Sequence, residues 1–262
     1  MRIGPGTRAL VTGASRGIGR SLARALAARG AAVGLVARDA EALERLAAEL
    51  GARALPADVG DRAAIGAAVD AFGDLDLLVA NAGIAHYGEF ASTPLERAEQ
   101  MTRVNWLGTL YTVHAALPHL HRGGHIVVVS SGAGLRAFPG AAAYGATKAA
   151  QRAFAEALRH ELAATGVSVT TVFPGEIDTA LHAHEPERMP AWYGSRKASP
   201  DRLAAAVIAA VEQDRRTVAY PREVALLGLN GLAPGLTDRL LRRLRGAAAA
   251  PRTDHRRGHY RC

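Results

Sequence analysis

Tyr144 and Lys148 stand four residues apart. On a helix that spacing puts both side chains on one face, one turn apart. A tyrosine hydroxyl is a poor base at neutral pH, because it normally titrates near pH 10. An ammonium held beside it favours the phenolate and brings the pair into range for acid–base chemistry. Ser131 precedes the tyrosine by thirteen positions and ends the apolar run His125-Ile126-Val127-Val128-Val129-Ser130-Ser131. Such a run reads as a buried strand. A hydroxyl at its C-terminal end would lie on the edge where open α/β sheets bind ligands. Alone, Tyr-x-x-x-Lys is weak evidence, since many helices carry a packed ring and a solvated charge at that spacing. The elements upstream give it weight.

Residues 7–12 predict a short buried strand, followed by Gly13-Ala14-Ser15-Arg16-Gly17-Ile18-Gly19 and a helical run ending at Gly30. Strand, glycine-rich turn and helix form the setting in which backbone N–H groups hold a pyrophosphate. Gly13 suits a sharp turn, and Gly17 and Gly19 suit close approach of the backbone to a ligand and of helix to strand. The plain alternative is an ordinary tight strand–helix connection, because the spacing is G-x-x-x-G-x-G. The next strand, 32–37, ends at Ala37 and is followed by Arg38 and Asp39. An acid at this place binds a ribose 2′-hydroxyl and selects NAD, whereas an arginine accepts a 2′-phosphate and selects NADP. Arg38, with Arg16 as a second cation, favours NADP. Asp39 reads as the N-cap of a helix over 40–50, and it is the residue that keeps NAD in play.

The remaining chain alternates in the same way. A strand over 52–56 leads to Asp58-Val59, an adenine-side edge, and a helix over 61–72 follows. A strand over 75–80 runs into Asn81-Ala82-Gly83, a turn suited to line a cofactor. A helix over 94–119 carries Asn105 in its interior, where asparagine is unfavourable and asks for a reason. A strand over 124–130 precedes Ser131, and a helix over 141–165 carries Tyr144 and Lys148. A strand over 167–173 leads into Pro174-Gly175-Glu176-Ile177-Asp178-Thr179, then come a helix over 200–213 and a strand over 217–220. Strands alternating with helices predict an α/β, doubly wound three-layer sandwich on a seven-stranded parallel sheet. Residues 180–199 have no period and read as a lid. Leu181, Met189, Trp192 and Tyr193 in it suit an apolar substrate. His182, His184 and Glu185 there are too loosely set for a metal site, and none is expected.

Composition narrows the classes. The 262 residues suit one large α/β domain. The single cysteine, Cys262, allows neither an internal disulfide nor a cysteine metal site, which fits a reducing cytoplasm. The N-terminus enters a strand almost at once, without a signal peptide, and no uncharged apolar run reaches the roughly 20 residues that span a membrane. Residues 239–262 hold eight arginines against one acid, Asp254, so nearly all of the net charge of +8 falls there and the body is close to neutral. That distribution argues against nucleic acid as a partner.

Taken in order, these motifs resemble the short-chain dehydrogenases/reductases over roughly residues 5–220. They are Thr12 to Gly19, Asp58-Val59, Asn81-Ala82-Gly83, Asn105, Ser131, Tyr144-Gly145-Ala146-Thr147-Lys148, and Pro174-Gly175 with Ile177 and Thr179. The resemblance implies a Rossmann sheet and a homodimer or homotetramer. It implies Tyr144 as acid–base, Lys148 as the group that lowers its pKa and holds the nicotinamide ribose, and Ser131 as hydrogen-bond donor to the carbonyl oxygen. It implies that Asn105 holds a water linking Lys148 to solvent. Ser130 is the rival to Ser131, and the family's thirteen-residue spacing selects Ser131. Arg38 is the family's mark of NADP preference. After residue 220 the chain lacks the glycine-pair strand usual in reductases of acyl-carrier-protein substrates. It resembles instead the branch that acts on lipophilic alcohols and ketones.

The expected organisation is a cofactor-binding and catalytic domain over 1–220, a leucine- and arginine-rich extension over 221–245, and a disordered basic tail over 246–262. Leu236, Leu240, Leu241 and Leu244 share one helical face with arginines around it. That face fits peripheral membrane contact through 224–245 or packing on the cleft or a partner subunit. The expected activity is NADP-dependent interconversion of a carbonyl and an alcohol on an apolar substrate. The alternatives are a non-catalytic NADP(H)-binding sensor or scaffold, and an enzyme of nucleotide-sugar epimerisation or dehydration, against which the short chain and glycine spacing argue.

Overall fold

Consecutive apolar residues at 9–11, 35–37, 77–80 and 126–129 put hydrophobic side chains on both faces of the strands they form, which must therefore be covered on both sides. The computed structural model, which describes residues 1–179, 181, 197–235 and 239, arranges them in that way. Seven strands, β1 (Arg8–Thr12), β2 (Ala32–Ala37), β3 (Arg53–Pro56), β4 (Leu75–Ala80), β5 (Leu120–Val129), β6 (Ser168–Pro174) and β7 (Thr217–Tyr220), form one sheet in the order β3-β2-β1-β4-β5-β6-β7. Every neighbouring pair is parallel. The order reverses between β1 and β4, the switch point at which a crevice opens beyond the strand ends.

Alternate residues of the strands feed two cores. Ala9, Val11, Leu77, Val79, Val127 and Val129 face helices α1 (Gly17–Ala27), α2 (Ala40–Leu50) and α7 (Pro200–Glu212). Leu10, Leu78, Ile126 and Val128 face α3 (Arg62–Phe72), α5 (Gly108–Ala116) and α6 (Ala142–Glu161). Gly34 in β2 has no room for a side chain, since a Cβ there would lie 2.6 Å from the Phe72 ring and 2.7 Å from Leu10.

Three elements differ from the sequence expectation. The helix expected over 94–119 is α4 (Leu95–Met101), a π-helical turn (Thr102–Leu107), α5, and a 3₁₀ turn (Leu117–His119). β5 begins at Leu120, earlier than expected, with its register against β4 shifting between Leu75 and Leu77. The extension opens as a 3₁₀ helix, Arg222–Gly231. Its burial repeats every three residues, with Val224 buried, Leu227 half-buried and Leu226 exposed, the period of a 3₁₀ helix. The chain divides into two compact units, Met1–Gly228 and Leu229–Cys262. The leucine face at 236–244, the tail over 246–262 and all of the expected lid except Leu181 and residues 197–199 lie outside the described residues. So do His182, His184 and Glu185.

A buried histidine ties β5 to β6. His125 is 1% exposed, and its Nε2 lies 2.7 Å from Thr170 Oγ1. The Thr170 hydroxyl donates its only hydrogen to Arg215 O, so Nε2 must carry the proton and donate. Burial pulls the His125 pKa down to about 4. The neutral ring therefore stabilises the fold fully above the unfolded-state value near 6.5, and that contribution is lost as pH falls through about 4. Chemical denaturation at pH 7 and pH 4 should show His125→Gln removing an acid-induced loss on the order of 3 kcal/mol.

Candidate active site

The ends of β1 and β4 are locked together by Thr12 and Asn81. Thr12 Oγ1 accepts from Asn81 N at 3.0 Å and Ala82 N at 3.1 Å, and Asn81 Nδ2 donates to Thr12 O at 3.0 Å. This lock positions the glycine turn. Gly13 has φ +67°, and a Cβ on it would lie 2.9 Å from Ala82 Cα. At Gly19 a Cβ would come within 2.2 Å of Gly13 O, so α1 reaches the strand this closely only with glycine there. Gly17 faces Thr179, whose Cβ would lie 3.2 Å from a Cβ added at that glycine.

The turn fits a pyrophosphate. The residue before α1, Arg16, gives no side-chain cap, and the first turn of α1 carries no acid, so no side chain there competes with an anion for its N–H groups. Ser15 and Ile18 are half-buried along it. Arg16 and Arg38 are exposed and make no ion pair among the described residues. Asp39 accepts from Ala42 N at 3.0 Å and is thereby committed to capping α2. Asp58 accepts from Gly60 N at 2.8 Å, and Val59 is buried against Gly108, where a Cβ would lie 2.7 Å from Val59 Cγ2.

The chemistry-bearing residues gather on the β5 side of the crevice. Tyr144 and Lys148 share one face of α6, with Lys148 Nζ 5.8 Å from the Tyr144 ring centroid. Nζ donates to Val129 O at 3.1 Å. Lys148 is 4% exposed, and burial alone pulls its pKa down to about 7. The two serines separate cleanly. Ser130 is buried and donates to Lys148 O at 2.7 Å, so it ties β5 to α6. Ser131 is half-buried, accepts from Ala133 N at 3.1 Å and keeps its hydroxyl hydrogen for a ligand. Gly134 makes that arrangement possible, since a Cβ there would lie 2.6 Å from Ser130 Oγ and 2.7 Å from Lys148 O.

Asn105 sits in the π turn with no exposure. Its Nδ2 donates to Ile84 O at 2.9 Å and Thr147 Oγ1 at 3.0 Å, and its Oδ1 accepts from Ile84 N at 2.8 Å. Gly83 lies between Asn105 and Lys148, since a Cβ on it would be 3.3 Å from Asn105 Oδ1 and 3.4 Å from Lys148 Nζ. Oδ1 thus accepts one bond, from Ile84 N, and lies beside Gly83.

Two groups of residues around the site, Leu181 of the expected lid apart, were not singled out from sequence. Tyr87 stacks obliquely on Tyr144, with ring centroids 5.7 Å apart, in an apolar cluster with Met101, Phe138 and Leu181. Val224 and Leu227 of the 3₁₀ extension close over Gly132, where a Cβ would lie 3.2 Å from each. Val224 also closes over Gly175, at 2.8 Å, just after Pro174. Ile177 is buried and bridges to Ala198. Val224 and Leu227 stand three residues apart, one turn of the 3₁₀ helix that carries them.

A short chain dehydrogenase family model matches residues 7–190. The chain belongs to the short-chain dehydrogenases/reductases. It is 34% identical over 257 residues to dehydrogenase/reductase SDR family member 7B of Bos taurus, covering 88% of this chain and 79% of that protein. A short-chain dehydrogenase/reductase from Burkholderia phymatum in complex with NAD superposes with a TM-score of 0.81 at 26% identity, over 90% of this chain and 97% of that one. A short-chain dehydrogenase from Burkholderia cenocepacia J2315 in complex with NADP gives 0.74 at 34% identity, over 84% and 97%. The chain is thus an oxidoreductase of this family, and its structural neighbours bind nicotinamide dinucleotides of both kinds.

A buried ammonium with a single carbonyl partner costs stability. Replacing Lys148 with methionine should stabilise the cofactor-free protein by about 1–4 kcal/mol at pH 6. Lys148 loses its proton above about 7 when folded but near 10.5 when unfolded, so wild-type stability rises with pH across that window. The advantage of Lys148→Met should shrink accordingly in denaturant titrations at pH 6 and pH 9.

Proposed function

We propose that this protein is an NADP-dependent oxidoreductase that interconverts a carbonyl and an alcohol on an apolar substrate. The observation that carries this reading is Tyr144 and buried Lys148 on one face of α6, tied to the end of β5 by Ser130 Oγ on Lys148 O, with Ser131 the next residue. The Tyr144 hydroxyl gives a proton to the carbonyl oxygen in reduction and takes it back in oxidation. Ser131 donates a hydrogen bond to the same oxygen as negative charge develops there. Lys148, protonated, favours the phenolate of Tyr144 by charge and so makes the hydroxyl a better acid. When bound, the dinucleotide supplies or accepts the hydride. Gly13 to Gly19 would hold its pyrophosphate, Asp58-Val59 its adenine side, and Asn81-Ala82-Gly83, Tyr144, Lys148, Pro174, Gly175, Ile177 and Thr179 its nicotinamide side. Tyr87, Met101, Phe138, Leu181, Val224 and Leu227 support an apolar substrate, because the side chains they present around Tyr144 and Ser131 are all uncharged.

The cofactor preference rests on two adjacent residues. Arg38 is exposed without an ion-pair partner among the described residues, and Asp39 is engaged by α2. Arg38 therefore has a free guanidinium for a 2′-phosphate. A steady-state comparison should show NADPH preferred in the wild type. Arg38→Asp should move the ratio of kcat/KM toward NADH by roughly 100-fold or more, the scale of removing one charge-assisted hydrogen bond and adding one repulsion. Loss of NADH and NADPH turnover alike would point to folding instead.

Assayed by NADPH consumption against a graded carbonyl panel, turnover should rise with the apolar size of the ketone. Tyr144→Phe should lower kcat at least about 100-fold, the scale of general acid–base catalysis, while titration of NADPH fluorescence shows binding retained. Full turnover by Tyr144→Phe would overturn the mechanism, and binding without any turnover in the wild type would favour a sensor.

A further inference from the structure

Tyr144 is the third residue of α6, and the start of that helix has no side-chain cap. The residue at the cap position is Ala141, and no acid stands in the first turn. A helix end of this kind frays, because its first N–H groups have no intrahelical partner. The turn closes with Gly145 N donating to Ala141 O at 2.7 Å. A hydroxyl that has to meet a substrate oxygen at a fixed place thus stands on the least secured turn of its helix. Something outside α6 has to hold it.

Residues 84–88 do so. They have no regular secondary structure, yet their burial alternates as a strand's does. Ala85 and Tyr87 are buried, whereas Ile84, His86 and Gly88 are half-buried. Each half-buried residue has an acceptor for its N–H, and each acceptor lies in a different segment. Ile84 N donates to Asn105 Oδ1 of the π turn at 2.8 Å, and His86 N to Met101 Sδ of α4 at 3.3 Å. Gly88 N donates to Gly140 O, just ahead of α6, at 2.9 Å. The His86 ring adds a second tie to α4, with Nε2 3.2 Å from Gln100 Oε1. Ala85 and Tyr87 pack in one cluster with Ala141 and Tyr144. The Tyr87 ring lies 5.7 Å from that of Tyr144, tilted by 60°. The segment therefore grips the helix start at the carbonyl before it, at its cap residue and at the tyrosine ring.

We infer that residues 84–88 are a strap that stands in for the missing cap of α6, and that Tyr87 is a positioning residue for Tyr144. The Tyr87 ring sets the Tyr144 ring, and the backbone bonds of the strap tie that setting to the π turn and α4. An acidic cap would put a negative charge beside a hydroxyl that has to carry one in the reaction. A strap of backbone bonds and apolar contacts does not. The catalytic half of this inference rests on the proposed function; the strap does not.

In the full cofactor-free protein, hydrogen exchange at the Gly145 amide reports on the first turn, and buried Ala155, further along α6, serves as reference. Tyr87→Leu keeps an apolar side chain and removes the ring. Exchange at Gly145 should quicken roughly tenfold, the scale of one aromatic pair, while Ala155 stays within about twofold. On the smallest ketone that the wild type reduces, kcat should fall about tenfold, with the Kd of NADPH and the KM of the ketone within about twofold. Tyr87→Phe restores the ring and should bring exchange and kcat back to within about threefold of wild type. Met101→Leu removes the acceptor of His86 N without emptying the site. It should quicken Gly145 exchange at least about threefold, the low end for one lost hydrogen bond.

Unmoved Gly145 exchange in Tyr87→Leu overturns the strap. Equal quickening at Gly145 and Ala155 overturns it as well, since that is a loss of global stability. A raised KM for the ketone with kcat unchanged makes Tyr87 a substrate contact and overturns its positioning role. Tyr87→Phe behaving like Tyr87→Leu overturns the role of the ring. If Tyr87→Leu does not fold, Met101→Leu decides through Gly145 exchange, where no change overturns the strap. If the wild type itself turns over no carbonyl, that result counts against the proposed function, and exchange still decides the strap.

Discussion

The site depends on one ammonium held in a place that disfavours it. Lys148 lies inside the protein with Val129 O as its hydrogen-bond partner, and no carboxylate offsets its burial. Much of the surrounding structure can be read as what keeps that side chain where it is. Ser130 fastens the Lys148 backbone to the end of β5, and Gly134 lets the following turn pass over that bond. The π turn sets Asn105 against Thr147, next to the lysine. A charge that is costly in the resting protein is useful where a tyrosine must lose or gain a proton nearby. In the proposed function, stability and reactivity pull in opposite directions at this residue, a common state of affairs at sites that carry chemistry.

The fold was legible because its signals are local and repeated. Seven short apolar runs alternating with helical periods leave little choice besides a parallel sheet covered on both faces, and their alternate residues do divide between two cores. The glycine turn, Asn81 and the Tyr144–Lys148 pair were legible for a related reason. Each needs a particular residue type at a fixed spacing, and the structure brings them to the same strand ends. Spacing selected Ser131 over Ser130, and the hydrogen bonds give a physical ground: one hydroxyl is engaged by the backbone of α6 and the other is not.

What escaped the sequence depends on contacts between distant segments. An asparagine inside a helix asked for a reason, but nothing in residues 94–119 announces a π turn, because its partners Ile84, Thr147 and Gln151 come from elsewhere. Gln151 itself reads as an ordinary polar helix residue until its burial is seen. Tyr87 follows the Asn81-Ala82-Gly83 turn closely, yet only the fold lays its ring against Tyr144.

Val224 and Leu227 reach the serine turn from a helix with three residues per turn. In such a helix a one-residue insertion rotates everything after it by a third of a turn. An insertion just ahead of Glu223 would bring Glu223 and Leu226 to the places that Val224 and Leu227 hold, putting a carboxylate beside Gly132. Under the proposed function, insertions and deletions in this segment would therefore be steps in substrate chemistry as well as in length, and descendants of this chain could change what they accept without altering a residue of α6.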